Sequence, residues 1–423
     1  MTRSVYRRGP NLRRQSVFII LLGNTLSLVS CSKCDRAEQT KKELSSKKES
    51  IQNAEIPPER VQQLMNLGYF DRAPTHNPED RAVTKRNPKA FDGINLYSSR
   101  HRAEALLIDN TGKVLHKWRA SRQKPSWVHT EILPNGDLLA ISKLHSLSKF
   151  DWNSKLLWRQ SLAAHHDLDI GSDGTIFLLT SSIREIEYED VPIPILTNAI
   201  TQLTSTGRFI KKTLLFPAMV SLIPKRRLKR IKKAFAQGYR RRDLFQESTS
   251  TDVFHTNSVQ IIYKDVPNIA PRGSILLSVR ELNRIVIVDH SMTRLLWSWG
   301  AGELEEQHHA TLLDNGNIMV FDNGIRRKQS RVIELNPTTK KIEWSFTKPN
   351  FYTRLRGAAQ KLPNNNVLIT ESDKGHAFEI TPAGKVVWEF WNPDVIDEEP
   401  PTRAIIYRMT RYEKNYFEEG MLD

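Results

Sequence analysis

Two hydrophobic patterns alternate along most of this chain. The first is a tight turn followed by an apolar run, as in LPNGDLLAIS (133–142), GSDGTIFLLT (171–180), LDNGNIMVFD (313–322), LPNNNVLITE (362–371) and, more loosely, APRGSILLSV (270–279). The second is a polar pair, then apolar residues, then tryptophan, as in GKVLHKW (112–118), SKLLW (154–158), TRLLW (293–297), KKIEW (340–344) and GKVVWEF (384–390), with GRFIKKTLL (207–215) as a copy that lacks the tryptophan. Short apolar runs bounded by turn signals predict β-hairpins.

The number and spacing of these copies predict the fold class. Most copies lie 40–50 residues apart, and the second pattern occurs six times. Regular short strands with this period are typical of β-propellers. We therefore predict an all-β protein that forms a six-bladed β-propeller, in which FDGINLYSS (91–99) pairs with C-terminal strands to close the ring. A pair of β-sandwiches is the alternative fold.

The N-terminal pattern differs and predicts export. Five arginines precede residue 15, and the apolar run SVFIILLGNTLSLVS (16–30) follows. This run is short for a transmembrane helix and typical of a signal peptide. It ends in LVSC (28–31), which resembles a bacterial lipobox, so we predict lipidation of Cys31 and anchoring at the periplasmic face of the outer membrane. An ordinary signal peptide or an uncleaved anchor is the alternative.

Composition then divides the chain into segments. We predict a signal peptide at 1–30, a flexible Lys/Glu/Ser-rich tether at 31–57, a short helix and linker at 58–87, and the propeller at 88–423. The propeller carries an insertion at about 216–248, where Leu228, Ile231 and Phe235 have helical spacing among basic residues. We interpret it as a solvated basic helix; contact with anionic lipid headgroups, or attraction of an anionic substrate, is the alternative.

Charge and cysteine content narrow the function. The formal net charge is +16, but the basic residues are concentrated at the N-terminus and in the insertion, so we expect no nucleic-acid partner. The chain has two cysteines, Cys31 and Cys34. If Cys31 carries lipid, the folded domain has no disulfide and depends on its core alone.

Histidines recur at matched repeat positions. Eight residues before the turn glycine, one copy has His308 and another has His166. The looser copy carries His255 and Asn257 ahead of its hairpin, which ends at Arg280. In a propeller these residues converge on the central opening, and with no matching carboxylate cluster they predict an anion site. A satisfied strand-end histidine is the alternative for each position; zinc is a weaker alternative, because a fixed arginine repels a cation.

These motifs also resemble a known family. HHDLDIGSDG (165–174), FHTNSV (254–259), SVREL (278–282), WSWGAG (297–302) and QHHATLLDNGNIMVFDNG (307–324) are similar to the arylsulfotransferases of bacteria. The resemblance implies a six-bladed propeller that moves a sulfuryl group from an aryl sulfate donor to a phenol acceptor without a nucleotide donor. Consistently, the chain has no Gly-rich phosphate loop, and we expect no cofactor and no metal.

The resemblance also implies roles for individual residues. His308 matches the histidine that becomes transiently sulfated, and His166 matches a further active-site histidine. The residues that match those around the sulfuryl group are His255, Asn257 and Arg280. We add His165 and His309 as substrate-binding neighbours, although His309 stands where relatives commonly have aspartate.

The implied chemistry is physically reasonable. A neutral imidazole attacks sulfur and displaces a phenolate, which splits one transfer into two steps with ping-pong kinetics. Polar donors stabilise the developing charge, and either His166 or His255 acts as general acid and base. The competing interpretations are a non-catalytic propeller that binds an anionic ligand or an envelope partner and, less favoured, a metal-dependent hydrolase.

Overall fold

The computed structural model describes residues 71–99, 101–122, 125–236 and 251–422. The predicted signal peptide, the lipidation site Cys31, the tether and the short helix near residue 58 lie outside these residues. The all-β prediction is confirmed, since strands dominate the described chain. In chain order the strands are β1 (Arg72–Pro74), β2 (Ala82–Arg86), β3 (Ile94–Ser99), β4 (Glu104–Ile108), β5 (Val114–Arg119), β6 (His129–Ile132), β7 (Leu138–Ser142), β8 (Ser146–Phe150), β9 (Leu156–Ser161), β10 (Ala164–Ile170), β11 (Ile176–Tyr188), β12 (Val191–Leu203), β13 (Phe209–Leu214), β14 (Thr256–Ile261), β15 (Ile275–Val279), β16 (Arg284–Val288), β17 (Leu295–Trp299), β18 (His308–Leu312), β19 (Ile318–Asp322), β20 (Arg331–Asn336), β21 (Lys341–Phe346), β22 (Ala358–Lys361), β23 (Val367–Glu371), β24 (His376–Ile380), β25 (Val386–Trp391), β26 (Val395–Ile396), β27 (Thr402–Ala404) and β28 (Ile406–Tyr412).

The strands form antiparallel sheets that follow one another along the chain. Sheet 1 has the order β28-β3-β4-β5, and sheets 2 to 5 are β6 to β9, β10 to β13, β14 to β17 and β18 to β21. Sheet 6 has the order β22-β23-β24-β25-β2, and a small sheet joins β1, β27 and β26. The predicted pairing of FDGINLYSS with the C-terminus is confirmed, because β3 pairs with β28. The linker predicted at 58–87 is wrong in its second half, where β1 and β2 add to sheets.

Consecutive sheets pack against each other through their first strands. Contacts run from β10 to β14, from β14 to β18, from β18 to β22 and from β22 to β28, and sheet 2 contacts β3 and β10 through β6 and β7. The last sheet therefore returns to the first. This ring of packed antiparallel sheets is propeller-like.

Side chains satisfy the backbone groups along the inner edges of the sheets. The Asp167 carboxylate accepts a hydrogen bond from the Val259 N–H at 3.1 Å, and Gln260 Oε1 accepts one from the Leu312 N–H at 2.6 Å. Each acceptor lies on the first strand of one sheet and its donor on the first strand of the next. An edge strand buried without such partners would leave N–H groups unpaired, which is costly.

Tryptophan from the second sequence pattern joins the sheets at their outer ends. Its position is the fourth strand of a sheet, and its Nε1–H donates to a backbone carbonyl of the following sheet. The pairs are Trp158 with Ser205 (3.2 Å), Trp297 with Pro337 (3.1 Å), Trp344 with Pro382 (3.0 Å) and Trp388 with Asn110 (3.0 Å). The last pair links sheet 6 to sheet 1.

The described part of the insertion between β13 and β14 contains the α-helices α1 (Phe216–Met219) and α2 (Lys225–Ala236), with a 3-10 turn at Val220–Leu222 between them. Ile231 of α2 is buried, and Leu228 and Phe235 pack against the apolar cluster that sheets 3 and 4 share. Residues 237–250 lie outside the described part. Among the described residues, no helix has the length and apolar character needed to cross a bilayer.

Candidate active site

The strand register supports the turn-glycine count that selected the histidines. In sheet 3, Leu168 lies two positions after His166 and pairs with Leu178, four positions after the turn glycine. In sheet 5, Ala310 lies two positions after His308 and pairs with Val320, again four positions after the turn glycine. The same relation holds for Asn257 in sheet 4. These three side chains therefore lie near the starts of neighbouring first strands, at or beside the register shift of each strand.

Among the described residues, one ring nitrogen of His308 has hydrogen-bond partners and the other has none. Its Nδ1 lies 2.8 Å from the Asn323 side-chain oxygen and 3.1 Å from the Glu306 carbonyl oxygen. The Asn323 amide is oriented by its nitrogen, which donates to the carbonyls of Thr353 and Arg356. Both neighbours of Nδ1 accept, so Nδ1 carries the proton. The buried Nε2 has no hydrogen-bond partner within the described chain, and its lone pair is available.

The protonation state of His308 follows from its surroundings. Burial, then the Arg280 guanidinium, hold the pKa of this imidazole well below its ordinary value. The ring is therefore neutral at pH 7. A neutral imidazole with a free Nε2 is a nucleophile that needs no prior deprotonation.

Arg280 follows β15 and lies next to His308. Its two terminal nitrogens donate to the carboxylates of Glu281 and Glu306. The expectation of a site without matching carboxylates is therefore wrong. Glu306 connects the two residues, because its carboxylate receives Arg280 while its carbonyl receives His308.

His255 forms a pair with a buried carboxylate. His255 Nδ1 lies 2.9 Å from Asp252 Oδ2, and Asp252 Oδ1 accepts the His255 backbone N–H at 2.8 Å. Burial alone would raise the pKa of Asp252, but contacts with His255 and the charge of Arg227 hold it below its usual range. The carboxylate therefore stays ionised and fixes the imidazole, as in other carboxylate–histidine pairs.

A hydrogen-bond chain determines the tautomer of His166. The Asn198 amide nitrogen donates to His165 Nε2 at 3.2 Å, so the proton of His165 is on Nδ1. That Nδ1 lies 2.9 Å from His166 Nδ1 and donates to it, which leaves the proton of His166 on Nε2. The amide orientation is fixed because Asn198 Oδ1 accepts the Thr256 N–H.

Both of these histidines are neutral. Burial, followed by the nearby His255, lowers the pKa of His165 to about 3 and that of His166 well below its ordinary value. The rings of His166 and His255 meet edge to face, with centroids 4.9 Å apart. His166 therefore offers an N–H donor beside His255 rather than a base.

Asn257 lies between His166 and His308. One of its amide N–H groups donates to the Gln307 carbonyl at 2.9 Å, while its buried Oδ1 lacks a partner among the described residues. Gln307 in turn donates to Ser278 Oγ and to the Arg284 carbonyl, which ties sheet 5 to sheet 4. Gln307 thus positions the strand that carries His308.

His309 lies apart from this cluster. Its Nδ1 accepts the Ala359 N–H at 3.3 Å, the same bridging role that Asp167 has two sheet pairs earlier. It lines a cavity of about 940 Å³ together with Asp167, Arg408 and other residues of β10, β14, β18 and β22. His308 does not line this cavity. The binding role predicted for His309 stays a prediction; its observed contacts are between strands.

Several residues in the site were not found from the sequence: Asp252, Glu281, Glu306, Asn323 and Arg227. Asp252 stands three residues before His255, and Asn323 lies within the DNG segment after β19, so spacing offered a weak signal for both. Arg227 is one of many basic residues in the insertion, and no sequence signal distinguished it from the others. Among the described residues, no set of three or more His, Cys, Asp or Glu side chains is arranged to hold a metal ion.

The arylsulfotransferase (ASST) family matches residues 129–393, which is more than half of the chain. The chain belongs to the arylsulfotransferase family. The matched range contains every described member of the cluster, from His165 to Asn323. No curated protein matches the chain.

Solved structures resemble this arylsulfotransferase family member in fold alone. A protein of unknown function from Bacteroides caccae has a TM-score of 0.51 and 12% identity, and the match covers 77% of this chain and 100% of that one. A streptogramin B lyase has a TM-score of 0.43 and 12% identity, with 81% and 98% covered. A catalytically inactive virginiamycin B lyase from Staphylococcus aureus has a TM-score of 0.42 and 12% identity, with 76% and 87% covered.

Proposed function

We propose that this protein transfers a sulfuryl group from an aryl sulfate to a phenol through a sulfated His308, without a nucleotide donor. The observation that carries the proposal is the state of His308: its Nδ1 is held by two acceptors, while its buried Nε2 has no partner among the described residues. This is the tautomer that attack through Nε2 requires.

In the first half-reaction His308 Nε2 forms a bond to sulfur. The bond between sulfur and the phenolic oxygen breaks, and its electron pair leaves with the phenolate. In the second half-reaction the oxygen of an acceptor phenol forms a bond to sulfur, and the nitrogen–sulfur electron pair returns to His308 Nε2. One transfer becomes two, and the kinetics are ping-pong.

His255 is the general acid and base in this scheme. Protonated His255 gives its Nε2 proton to the leaving phenolate and later takes the proton of the acceptor phenol. The ionised Asp252 on Nδ1 stabilises the imidazolium between these steps. His166 is the weaker choice because its Nδ1 is occupied by His165 and its pKa is strongly lowered by burial.

The remaining groups stabilise the sulfuryl oxygens and orient the acceptor. Arg280 and the Nε2–H of His166 supply donors in a site that already holds them in place. In this scheme the hydroxyl of an acceptor phenol donates to Asn257 Oδ1, which is buried without a partner among the described residues, before His255 takes its proton. Because Glu281 and Glu306 partly neutralise Arg280, the site has a moderate rather than a strong positive field.

The test is transfer from a chromogenic aryl sulfate to a phenol. We expect His308→Ala to abolish transfer, since no nearby side chain replaces Nε2, whereas the exposed His290→Ala retains the wild-type rate. Full transfer by His308→Ala rejects the nucleophile assignment. A wild-type protein that binds aryl sulfates but turns none over supports the second candidate, a non-catalytic binding protein for anions.

Two further expectations belong to this proposal. The six sheets form six blades of one propeller, supported by the return of sheet 6 to sheet 1 through β28 and through Trp388. The chain is exported and anchored by lipid on Cys31, which the LVSC motif supports. Metabolic labelling with a fatty acid tests the anchor: wild type takes up label and Cys31→Ala does not, whereas equal labelling rejects it.

A further inference from the structure

The inserted helix α2 sends one arginine inward. Arg227 Nη2 donates to the Asp252 carbonyl at 2.7 Å and also to the Glu281 carboxylate, while Nη1 donates to the Glu281 carbonyl at 3.1 Å. Its side chain is only 11% exposed. The neighbouring Arg226 is exposed, so this inward contact is specific to one position of the helix.

The two segments that Arg227 joins are the ones that carry two site residues. The Asp252 carboxylate receives His255 Nδ1, and the Glu281 carboxylate receives Arg280 Nη1. One guanidinium therefore braces the segment that orients the acid–base histidine and the segment that orients the sulfuryl-binding arginine. Asp252 and Glu281 are 29 positions apart, on either side of the β14–β15 hairpin.

We propose that Arg227 is a positioning residue for sulfuryl transfer, which makes the insertion part of the catalytic machinery rather than a surface addition. The role of α2 follows from its packing: Ile231, Leu228 and Phe235 fix the helix on the core, so Arg227 is delivered from a rigid element. This inference rests on the proposed function for its kinetic consequence but not for its geometry.

The charge of Arg227 contributes as well as its hydrogen bonds. It helps to hold the pKa of the buried Asp252 below its usual range, after the larger effects of burial, which raises it, and of His255, which lowers it. Without this cation the protonated form of Asp252 becomes more favourable. The Asp252 carboxylate, which orients His255, then needs a higher pH to ionise.

The experiment compares Arg227→Gln and Arg227→Lys with the matched control Arg226→Gln, using a chromogenic aryl sulfate and a phenol. We expect Arg227→Gln to lower kcat by about 10- to 100-fold, as loss of a bracing partner typically does. Its acid limb of kcat/KM for the acceptor phenol should move to higher pH, because Asp252 then ionises at a higher pH. Arg227→Lys should keep the wild-type pH limb but lose part of kcat, because an ammonium lacks the planar fork. Arg226→Gln should match wild type.

Two readouts separate positioning from folding and from failure of the proposed function. Thermal unfolding measures stability. If Arg227→Gln loses kcat with an unchanged pH profile and a lowered Tm, the positioning role of Arg227 is overturned. The downfield proton resonance of His255 Nδ1–H reports the bond to Asp252 without turnover. If it shifts or disappears in Arg227→Gln alone, Arg227 positions the Asp252–His255 pair even in a protein with no sulfuryl transfer, where only the proposed function fails; if it is unchanged in all variants, the inference is overturned.

Discussion

His308 depends on a neighbour that contributes no chemistry of its own. Asn323 accepts the Nδ1–H of His308 and is itself locked by two backbone carbonyls, so the ring presents Nε2 as a lone pair. Removing this acceptor leaves only the longer contact with the Glu306 carbonyl, so the other tautomer, in which the proton blocks Nε2, becomes more accessible. The tautomer of His308 is therefore selected by a neutral amide side chain and not by a charged group.

Asn323→Leu tests this dependence. We expect kcat to fall by about 10- to 100-fold while aryl sulfate binding changes little, because the tautomer and not the binding groups is altered. Steady-state kinetics give the two parameters, and thermal unfolding checks that the protein remains folded. A kcat close to that of wild type in a folded variant would show that Asn323 does not select the tautomer.

His165 makes a prediction about stability and pH. Its folded pKa, about 3, lies far below that of an unfolded histidine. Between about pH 6.5 and pH 3 the unfolded chain binds a proton that the folded chain excludes, so acidification favours unfolding. The stabilising contribution is complete above pH 6.5 and is lost as the pH falls.

Urea unfolding at several pH values measures this contribution. The carboxylates titrate alike in wild type and in His165→Gln, so the difference between the two proteins in unfolding free energy against pH reports the loss of His165. In His165→Gln the slope of unfolding free energy against pH should be smaller by about 1.4 kcal/mol per pH unit between pH 5.5 and 4. The exposed His290→Gln serves as the control. Equal slopes in wild type and His165→Gln would contradict the assignment of a neutral, buried His165.

At the scale of elements, the first strands of sheets 3, 4 and 5 share an irregularity. Each shifts register near its start, and His166, His255 and His309 adopt positive φ of 56°, 47° and 47° there. Bulges of this kind re-aim side chains at the cost of local strain. The shift turns consecutive residues to different surroundings, so His308 enters the cluster while His309 bridges to the next strand.

The tryptophan of the fourth strand gives a test with a matched pair. Trp388 and Trp118 are both fully buried, but only Trp388 donates a hydrogen bond among the described residues. Both changes to Phe remove similar volume. We expect Trp388→Phe to lower the free energy of unfolding by about 1 kcal/mol more than Trp118→Phe, the usual worth of one hydrogen bond. Equal losses would mean that packing alone explains the repeated tryptophan.

The element level also shows what the sequence reveals and what it does not. Local patterns predicted the hairpins and the equivalence of His166 and His308, because turn chemistry and period-two alternation are local. The residues that orient His255 and Arg280 were not predicted, because their partners are set by tertiary packing. They are Asp252, Glu281 and Arg227. The substrate-binding role of His309 stays a prediction; the strand bulge that turns His309 away from the direction of His308 leaves no sequence signal.

At the scale of the whole molecule, ring closure holds the site together. Strand β28 comes from the C-terminus and pairs with β3, and its Arg411 forms a fully buried ion pair with Glu379 of sheet 6. Without β28 the sheets have two open edges, and the first strands lose their cyclic packing. The site residues come from several sheets, so they depend on closure.

Removal of residues 406–423 tests this dependence. We expect the shortened chain to lose cooperative unfolding and to aggregate, because β3 and β22 then expose unpaired or unpacked edges. Removal of residues 418–423 alone leaves β28 in place and serves as the control. A shortened chain that unfolds cooperatively with wild-type Tm would show that closure through β28 is not required.

The central claim is that His308 itself carries the sulfuryl group. Mass spectrometry of the protein after exposure to an aryl sulfate, without an acceptor, tests it most directly. We predict one added sulfuryl group on the peptide that contains His308, and its loss when a phenol is then supplied. Absence of the adduct in a protein that still transfers sulfuryl groups, or its attachment to another residue, would contradict the account.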